Sequence, residues 1–428
     1  MTYLLKNGHI LGQHGLQPQD ILIDGQTITA MAAHLDTPAD ATVLDLEGGF
    51  ISPGLVDVHV HFRDPGQTDK ETIRTGSAAA AHGGFTFVGA MPNITPTTDT
   101  PAAMTAQIKR NQTAGKVRIG QYAPITMGRT GDKLVDFAAL QKAGAFAFSN
   151  DGSGIQSAET MYLAMQGIEK TGLPLAAHVE DVSLFNHGVI NAGPRAQELN
   201  LPGIDKTAET AQLARDLVLA QATGVHYHVC HVSTAESLQM IRMAKMAGVN
   251  VTCEAAPHHL LLSDQDIPDT DNSNFKMNPP LRSESDRQAL VVGLLDGTVD
   301  CIATDHAPHT QAEKDQGILK APFGIVGSEN AFSLLYTRFV RTKLFTLGQL
   351  IAWMSARPAK LFNVPAPQLK VGHTADLAVF DLAHQQTITA EQLVSKGKNT
   401  PFLGTKVYGG TLATFVGGQP VYQRGELQ

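Results

Sequence analysis

The sequence predicts an α/β chain whose main body is a (β/α)8 barrel, with a small β-sandwich assembled from the two chain ends. Three observations carry that prediction. Between residues 51 and 360, eight short apolar runs alternate with helix-like stretches. Segments 1–50 and 361–428 read instead as short strands punctuated by glycine pairs, each too small to fill a core alone. Histidines and carboxylates recur at the last residue or two of the barrel runs, where barrels of this kind carry their chemistry.

Near the N-terminus, Ile21–Ile23 and Thr27–Met31 flank Asp24-Gly25, a type I′ hairpin signal. Asp376–Phe380 and further strands hinged at Gly409-Gly410 and Gly417-Gly418 are expected to pair with them. Gly48-Gly49 turns the chain into Phe50–Val56, read as one buried strand leading into the barrel. The barrel strands are expected at 55–61, 85–91, 117–123, 145–151, 173–178, 226–232, 249–254 and 299–305. Between them, Thr68-Asp69-Lys70-Glu71 reads as a capping box for a helix stopping at Gly83-Gly84. Thr100-Pro101 supplies an N-cap and a first-turn proline; Asp132 is expected to cap the next helix; Met161, Ala164 and Ile168 stripe another that ends at Gly172. Thr310–Lys320, polar and following the last strand, reads as a mobile loop at the barrel mouth.

With 43% hydrophobic and 17% charged residues, the composition suits a globular chain with a large core. A net charge of -8 argues against nucleic acid and anionic membranes as partners. Residues 1–8 carry no signal-peptide pattern and no apolar run reaches membrane-spanning length, so a cytoplasmic location is expected. Cys230, Cys253 and Cys301 lack metal-binding spacing, fall inside predicted strands and are expected to pack in the core.

Asp57, His59 and His61 alternate along the first barrel strand, so period two sends all three to one face, suited to gripping a divalent metal. The other strand ends answer with Asp151, His178, His231 and Asp305. The four histidines with Asp151 and Asp305 make six nitrogen and oxygen donors at the mouth, which exceeds what one catalytic zinc uses and suits a pair of metals sharing a bridging carboxylate. Histidine and aspartate without cysteine favour zinc. Arg63, two residues past His61, projects from the same rim and can bind a carboxylate through both arms of its fork. His258, His259 and His306 stand beside these positions as orienting or packing groups, while His226 and His228 lie earlier on their strand, below the mouth, as core or interface groups.

Asp57-Val58-His59-Val60-His61-Phe62-Arg63-Asp64-Pro65 and Ala303-Thr304-Asp305-His306-Ala307-Pro308-His309, followed by Lys314, resemble the two signatures of the amidohydrolase superfamily's bacterial class I dihydroorotases. Met91-Pro92-Asn93, Met277-Asn278-Pro279-Pro280 and Pro322-Phe323-Gly324 also resemble family elements, and the likeness spans essentially the whole chain. The resemblance implies two zinc ions per chain, with His59, His61 and Asp305 on one, His178 and His231 on the other, and Asp151 bridging. It implies that His61, Arg63, Asn93, Asn278 and His309 hold the substrate, with backbone groups of Phe323 and Gly324 closing over it. The implied reaction is reversible cyclisation of N-carbamoyl-L-aspartate to L-dihydroorotate, with Asp305 as the catalytic acid and base. A homodimer and association with an aspartate transcarbamoylase are the partner arrangements the resemblance leaves open. Many superfamily members bridge their metals with a carboxylated lysine; residues 144–155 contain none, and Asp151 must serve instead. Rival readings are a hydantoinase or allantoinase, and a non-catalytic scaffold for the transcarbamoylase; the latter would be expected to have lost donors that are all present here.

Overall fold

The computed structural model describes residues 1–425. Short parallel ladders, joined by single bridges, close the barrel. Leu55–Val60, Phe85–Ala90 and Arg118–Gln121 form one ladder, and Leu175–Ala177, Tyr227–Val229, Val251–Ala255 and Cys301–Ile302 another. Phe148 bridges them, pairing with Ala123 on one side and Leu175 on the other; Val60 pairs with His306 to complete the ring. The predicted (β/α)8 barrel is therefore present, with its fourth position reduced to a bridge. The Ser149–Gly152 corner explains the missing strand: Asn150 Oδ1 accepts from Ile125 N at 2.8 Å, and Ser149 Oγ accepts from Asp151 N at 2.9 Å. Side-chain oxygens satisfy amides that a ladder would otherwise use.

Phe50–Val56 is not one strand. Phe50–Pro53 lies antiparallel to Leu377–Asp381 in the terminal sheet, and Leu55–Val60 begins the barrel. The chain crosses from one sheet to the other at Gly54, where Thr86 leaves no room for a Cβ. The chain ends do build a common unit: an eight-stranded hydrogen-bonded sheet that includes Thr2–Gly12, Gly15–Asp24, Gly410–Val416 and Gln419–Gln423. It curls over a core of its own, with Leu5, Ile21, Ile51, Val379 and Phe415 buried together and the Tyr3 and Phe415 rings 5.7 Å apart edge to face. In the hairpin between Gly15–Asp24 and Thr27–Ala32 the two loop residues are Gly25 and Gln26, and only Gly25 (φ 57°) is left-handed, so the expected type I′ turn does not form there. Gly417 and Gly418 (φ 58° and 74°) are both left-handed, as a type I′ turn requires.

Two predicted helix starts move. Thr72, not Thr68, caps Ile73–His82, in a box with Thr75. Glu71 instead accepts from Ser395 Oγ and, at 3.3 Å, from Lys396 N. Asp136, rather than Asp132, caps Phe137–Lys142. Thr100 caps Pro101–Ala114 and Met161, Ala164 and Ile168 are buried in Ala158–Glu169, both as expected. The expected mouth loop is largely helical, with Gln311–Lys314 capped by Thr310 and followed by Gly317–Lys320. The three cysteines are free and buried. Among the described residues, no helix is long and apolar enough to cross a membrane.

Candidate metal centre and substrate cavity

His59 and His61 stand at the C-terminal end of the first barrel strand, and each has its outer ring nitrogen engaged. His59 Nδ1 lies 2.6 Å from Glu254 Oε1, and His61 Nδ1 lies 2.9 Å from Asn93 Oδ1. Because both acceptors are oxygens, the proton sits on Nδ1 and each Nε2 turns a lone pair inward. These two nitrogens surround Asp151: His59 Nε2 is 3.4 Å from Oδ1 and His61 Nε2 is 3.4 Å from Oδ2. From the other side His231 Nε2 approaches Oδ1 to 3.6 Å and His178 Nδ1 to 3.8 Å. Asp305 Oδ1 completes the cluster, 3.0 Å from His61 Nε2 and 3.5 Å from His59 Nε2.

Most of these separations are too long for hydrogen bonds between charged groups, yet they match the roughly 3.3 Å between neighbouring donors on a tetrahedral zinc. His59 Nε2 and Asp151 Oδ1 are buried without any hydrogen-bond partner. Buried polar atoms are rarely left so unless an ion or water completes them. Four buried triads among the described residues meet the geometry of a metal site; two of them, His59–His61–Asp151 and Asp151–His178–His231, border the cavity at the barrel mouth and share Asp151, while His59–Cys230–Glu254 and His228–Glu254–Cys301 lie below. The donor set therefore fits a binuclear metal site.

Asp57 does not join it. A register shift between Asp57 and Val60 breaks the alternation, and the carboxylate turns to the last strand, accepting from Thr304 N at 3.0 Å and Thr304 Oγ1 at 2.5 Å. Burial raises its pKa to about 6. Arg63 (φ 59°), His231 (φ 31°) and Asp305 (φ 49°) all hold left-handed backbone that disfavours side chains. Such strain gathers where side chains must be aimed rather than merely packed.

Above the cluster opens a cavity of about 220 Å³, lined by Arg63, Asn93, Asn278, His309, Phe323 and Gly324 together with His61, Asp151, His178, His231 and Asp305. His59 lies beneath its wall, fully buried. Arg63 is buried with its Nε unpartnered, and among the described residues no carboxylate lies within salt-bridge reach of it. An unpaired guanidinium in such a wall invites an anion. His309 Nε2 donates to Phe323 O at 2.8 Å, and burial, Arg63 and Lys70 push its pKa down to about 3, leaving it neutral. Asn278 Nδ2 donates to Glu180 Oε1 at 2.8 Å. Lys314 is buried behind the cavity, donating to Pro322 O at 3.1 Å and Gly324 O at 3.0 Å.

Two of the neighbouring histidines are engaged by backbone groups. His306 Nδ1 accepts from Gly327 N at 3.2 Å, and His259 Nε2 reaches Pro279 O at 2.9 Å. Two residues that sequence reasoning passed over support the site. Glu180, two residues past His178, was visible as a carboxylate beyond a strand end. Arg129, whose Nη1 donates to Asp151 O at 2.9 Å and Ser153 Oγ at 2.8 Å, sits in an irregular loop and gave no local signal.

A family model described as Dihydro-orotase-like matches residues 48–237. The chain is 58% identical over 428 residues to a dihydroorotase of Lactobacillus helveticus, covering 100% of both chains. It is 59% identical over 426 residues to one from Lactiplantibacillus plantarum, covering 99% of each. The chain belongs to the dihydroorotase family. Among solved structures, this dihydroorotase-family chain superposes on an L-hydantoinase (dihydropyrimidinase) from Arthrobacter aurescens with a TM-score of 0.85 at 26% identity, covering 100% of this chain and 97% of that one. A dihydropyrimidinase from Brevibacillus agri gives the same TM-score at 23% identity, over 99% and 95% of the two chains, a likeness of fold. Dihydroorotase-family membership makes the chain an enzyme of the amidohydrolase superfamily.

Proposed function

We propose that the chain catalyses the reversible cyclisation of N-carbamoyl-L-aspartate to L-dihydroorotate with loss of water, using two zinc ions per chain. The observation that carries the reading is the pairing of an unsatisfied donor cluster around Asp151 with an unpaired, buried Arg63 in one cavity. His59, His61 and Asp305 are assigned to one ion, His178 and His231 to the other, and Asp151 to both. A bound zinc pair supplies Lewis acidity to a carbonyl oxygen and lowers the pKa of water.

The protein's own part is orientation and proton transfer. In the cyclising direction the ureido nitrogen attacks the side-chain carboxyl carbon, a C–N bond forms, a C–O bond breaks and water leaves. Asp305 takes the proton from the attacking nitrogen and delivers it to the departing oxygen; in hydrolysis it runs the same transfer backwards. Its carboxylate is placed for this, since it borders both the donor cluster, with Oδ1 3.0 Å from His61 Nε2, and the cavity where the substrate would lie. The substrate's α-carboxylate is assigned to Arg63, with Asn93, Asn278 and the neutral His309 fixing the ring, and Phe323 and Gly324 contributing backbone groups. A hydantoin lacks that α-carboxylate and would leave Arg63 unpaired, which disfavours the hydantoinase reading despite the shared fold. The test is hydrolysis of dihydroorotate and hydantoin side by side, before and after chelation and with zinc restored. Zinc-dependent turnover of dihydroorotate alone is expected; preference for hydantoin would overturn the assignment.

A further inference from the structure

Barrel interiors are ordinarily filled by layers of branched apolar side chains. Directly beneath the candidate metal centre this one carries a string of polar groups. Glu254, buried on the strand Val251–Ala255, accepts from His59 through Oε1 at 2.6 Å and faces His228 Nε2 through Oε2 at 3.1 Å. His228 Nδ1 lies 2.8 Å from Thr252 Oγ1, which lies 2.8 Å from His226 Nε2. A carboxylate only accepts, so His59 Nδ1 and His228 Nε2 must both carry protons. Neutral His228 then accepts from the Thr252 hydroxyl, and Thr252 accepts from His226 Nε2. With neutral imidazoles, one assignment satisfies every member, and it fixes His59 with its Nε2 bare.

Stability alone does not account for this arrangement, because apolar residues of similar volume commonly serve a core at least as well as a buried ionic group. The string ends on His59, whose inward nitrogen has no protein partner. We infer that Glu254 and His228 are positioning residues for the metal centre, holding the His59 ring so that the position it shares with His61 binds its ion tightly. Neither residue lines the cavity, so neither touches substrate. The inference rests on the two-zinc reading above.

The test is E254Q, which keeps the shape and an acceptor for His59 but loses the charge. Zinc is titrated against a chelator on wild type and variant, and both metal-free proteins are melted. In the variant, zinc affinity at one of the two positions is expected to fall about 10–100-fold, the usual effect of removing a partner behind a metal ligand. The melting temperature of the metal-free protein should hold or rise, kcat should fall with occupancy, and KM should stay within about two-fold. H228Q should give the same pattern in smaller measure, and it carries the test if E254Q fails to fold. Wild-type zinc affinity in the variant, or a lowered melting temperature with unchanged affinity, would overturn the inference and leave these groups as core packing. A wild-type protein that binds no zinc would instead sink the two-zinc reading, and this inference with it.

Discussion

Replacing Asp151 with alanine tests the proposed bridge most directly. The corner that presents Asp151 is held by groups other than its own carboxylate: Ser149 Oγ takes its N–H, and Arg129 donates to its carbonyl. The backbone should therefore keep its course in the variant. What disappears is the one anionic group between the two sets of imidazoles. His59 and His61 retain Asp305, 3.0 Å from His61 Nε2, whereas His178 and His231 retain no carboxylate among their proposed ligands. Removing one partner of a buried charge pair costs about 3–5 kcal/mol, or roughly 10²–10⁴ in dissociation constant. That loss should fall on the His178–His231 position first. Plasma emission on the exhaustively dialysed variant should count about one zinc per chain, and turnover should be nearly abolished, since a lone ion cannot clamp both oxygens of the displacement. Asp151→Glu should keep part of the second ion but place it poorly. Two tightly held zincs in the alanine protein would refute the bridge and the division of ligands built on it.

Asp305→Asn should fold and melt as wild type while kcat falls by about 10²–10⁴, the contribution usual for a general acid and base; retention of more than about one hundredth of wild-type kcat would exclude that role. Arg63→Lys keeps the charge but loses the fork, so KM for carbamoyl-aspartate should rise strongly while an ester lacking the α-carboxylate is little affected; equal losses on both would make Arg63 structural. Burial and His228 push His226 down to about 4 from its usual 6.5, so the folded chain resists a proton that the unfolded chain accepts. The stability involved is present above pH 6.5 and lost as pH falls towards 4, up to about 3 kcal/mol. Denaturant melts at pH 7 and 4.5 should therefore show a smaller acid loss for His226→Gln than for wild type, and parallel losses would contradict this.

The parts of the site that could be read from sequence are those carried by regular elements. His59, His61, His178, His231 and Asp305 each stand at or near the end of a barrel run, so a strand count and a list of terminal residues are enough to predict that they come together around Asp151, as they do. Asp57 was misread for a physical reason, because a bulge between Asp57 and Val60 breaks the period-two rule that placed it with His59. Glu71 looked like half of a capping box, but beside its local bonds from Thr72 N and Thr75 Oγ1 it accepts from Ser395 Oγ and Lys396 N, more than three hundred residues away. No local pattern reveals such a contact. Glu254 ends the seventh run as plainly as His231 ends the sixth, but its carboxylate faces His59 and His228 instead of the donors around Asp151, a difference that no strand-end pattern carries.

The two grips of the site rest on different parts of the fold. The donors around Asp151 are braced from below, by Glu254 on the barrel strands and by Asn93 at the rim. The substrate wall is braced from above and from far along the chain. Asn399 accepts from His309 N at 3.0 Å and donates to Ala307 O at 3.1 Å and Gly324 O at 3.0 Å. Lys314 holds the carbonyls of Pro322 and Gly324 from behind. Substitutions in the lower layer should therefore appear first in zinc occupancy and kcat, and those in the upper layer first in KM. Asn93 is the exception, because its Oδ1 holds His61 while the residue also lines the cavity. Its loss should disturb both quantities together, which makes it the point where the proposed metal and substrate sites are mechanically joined.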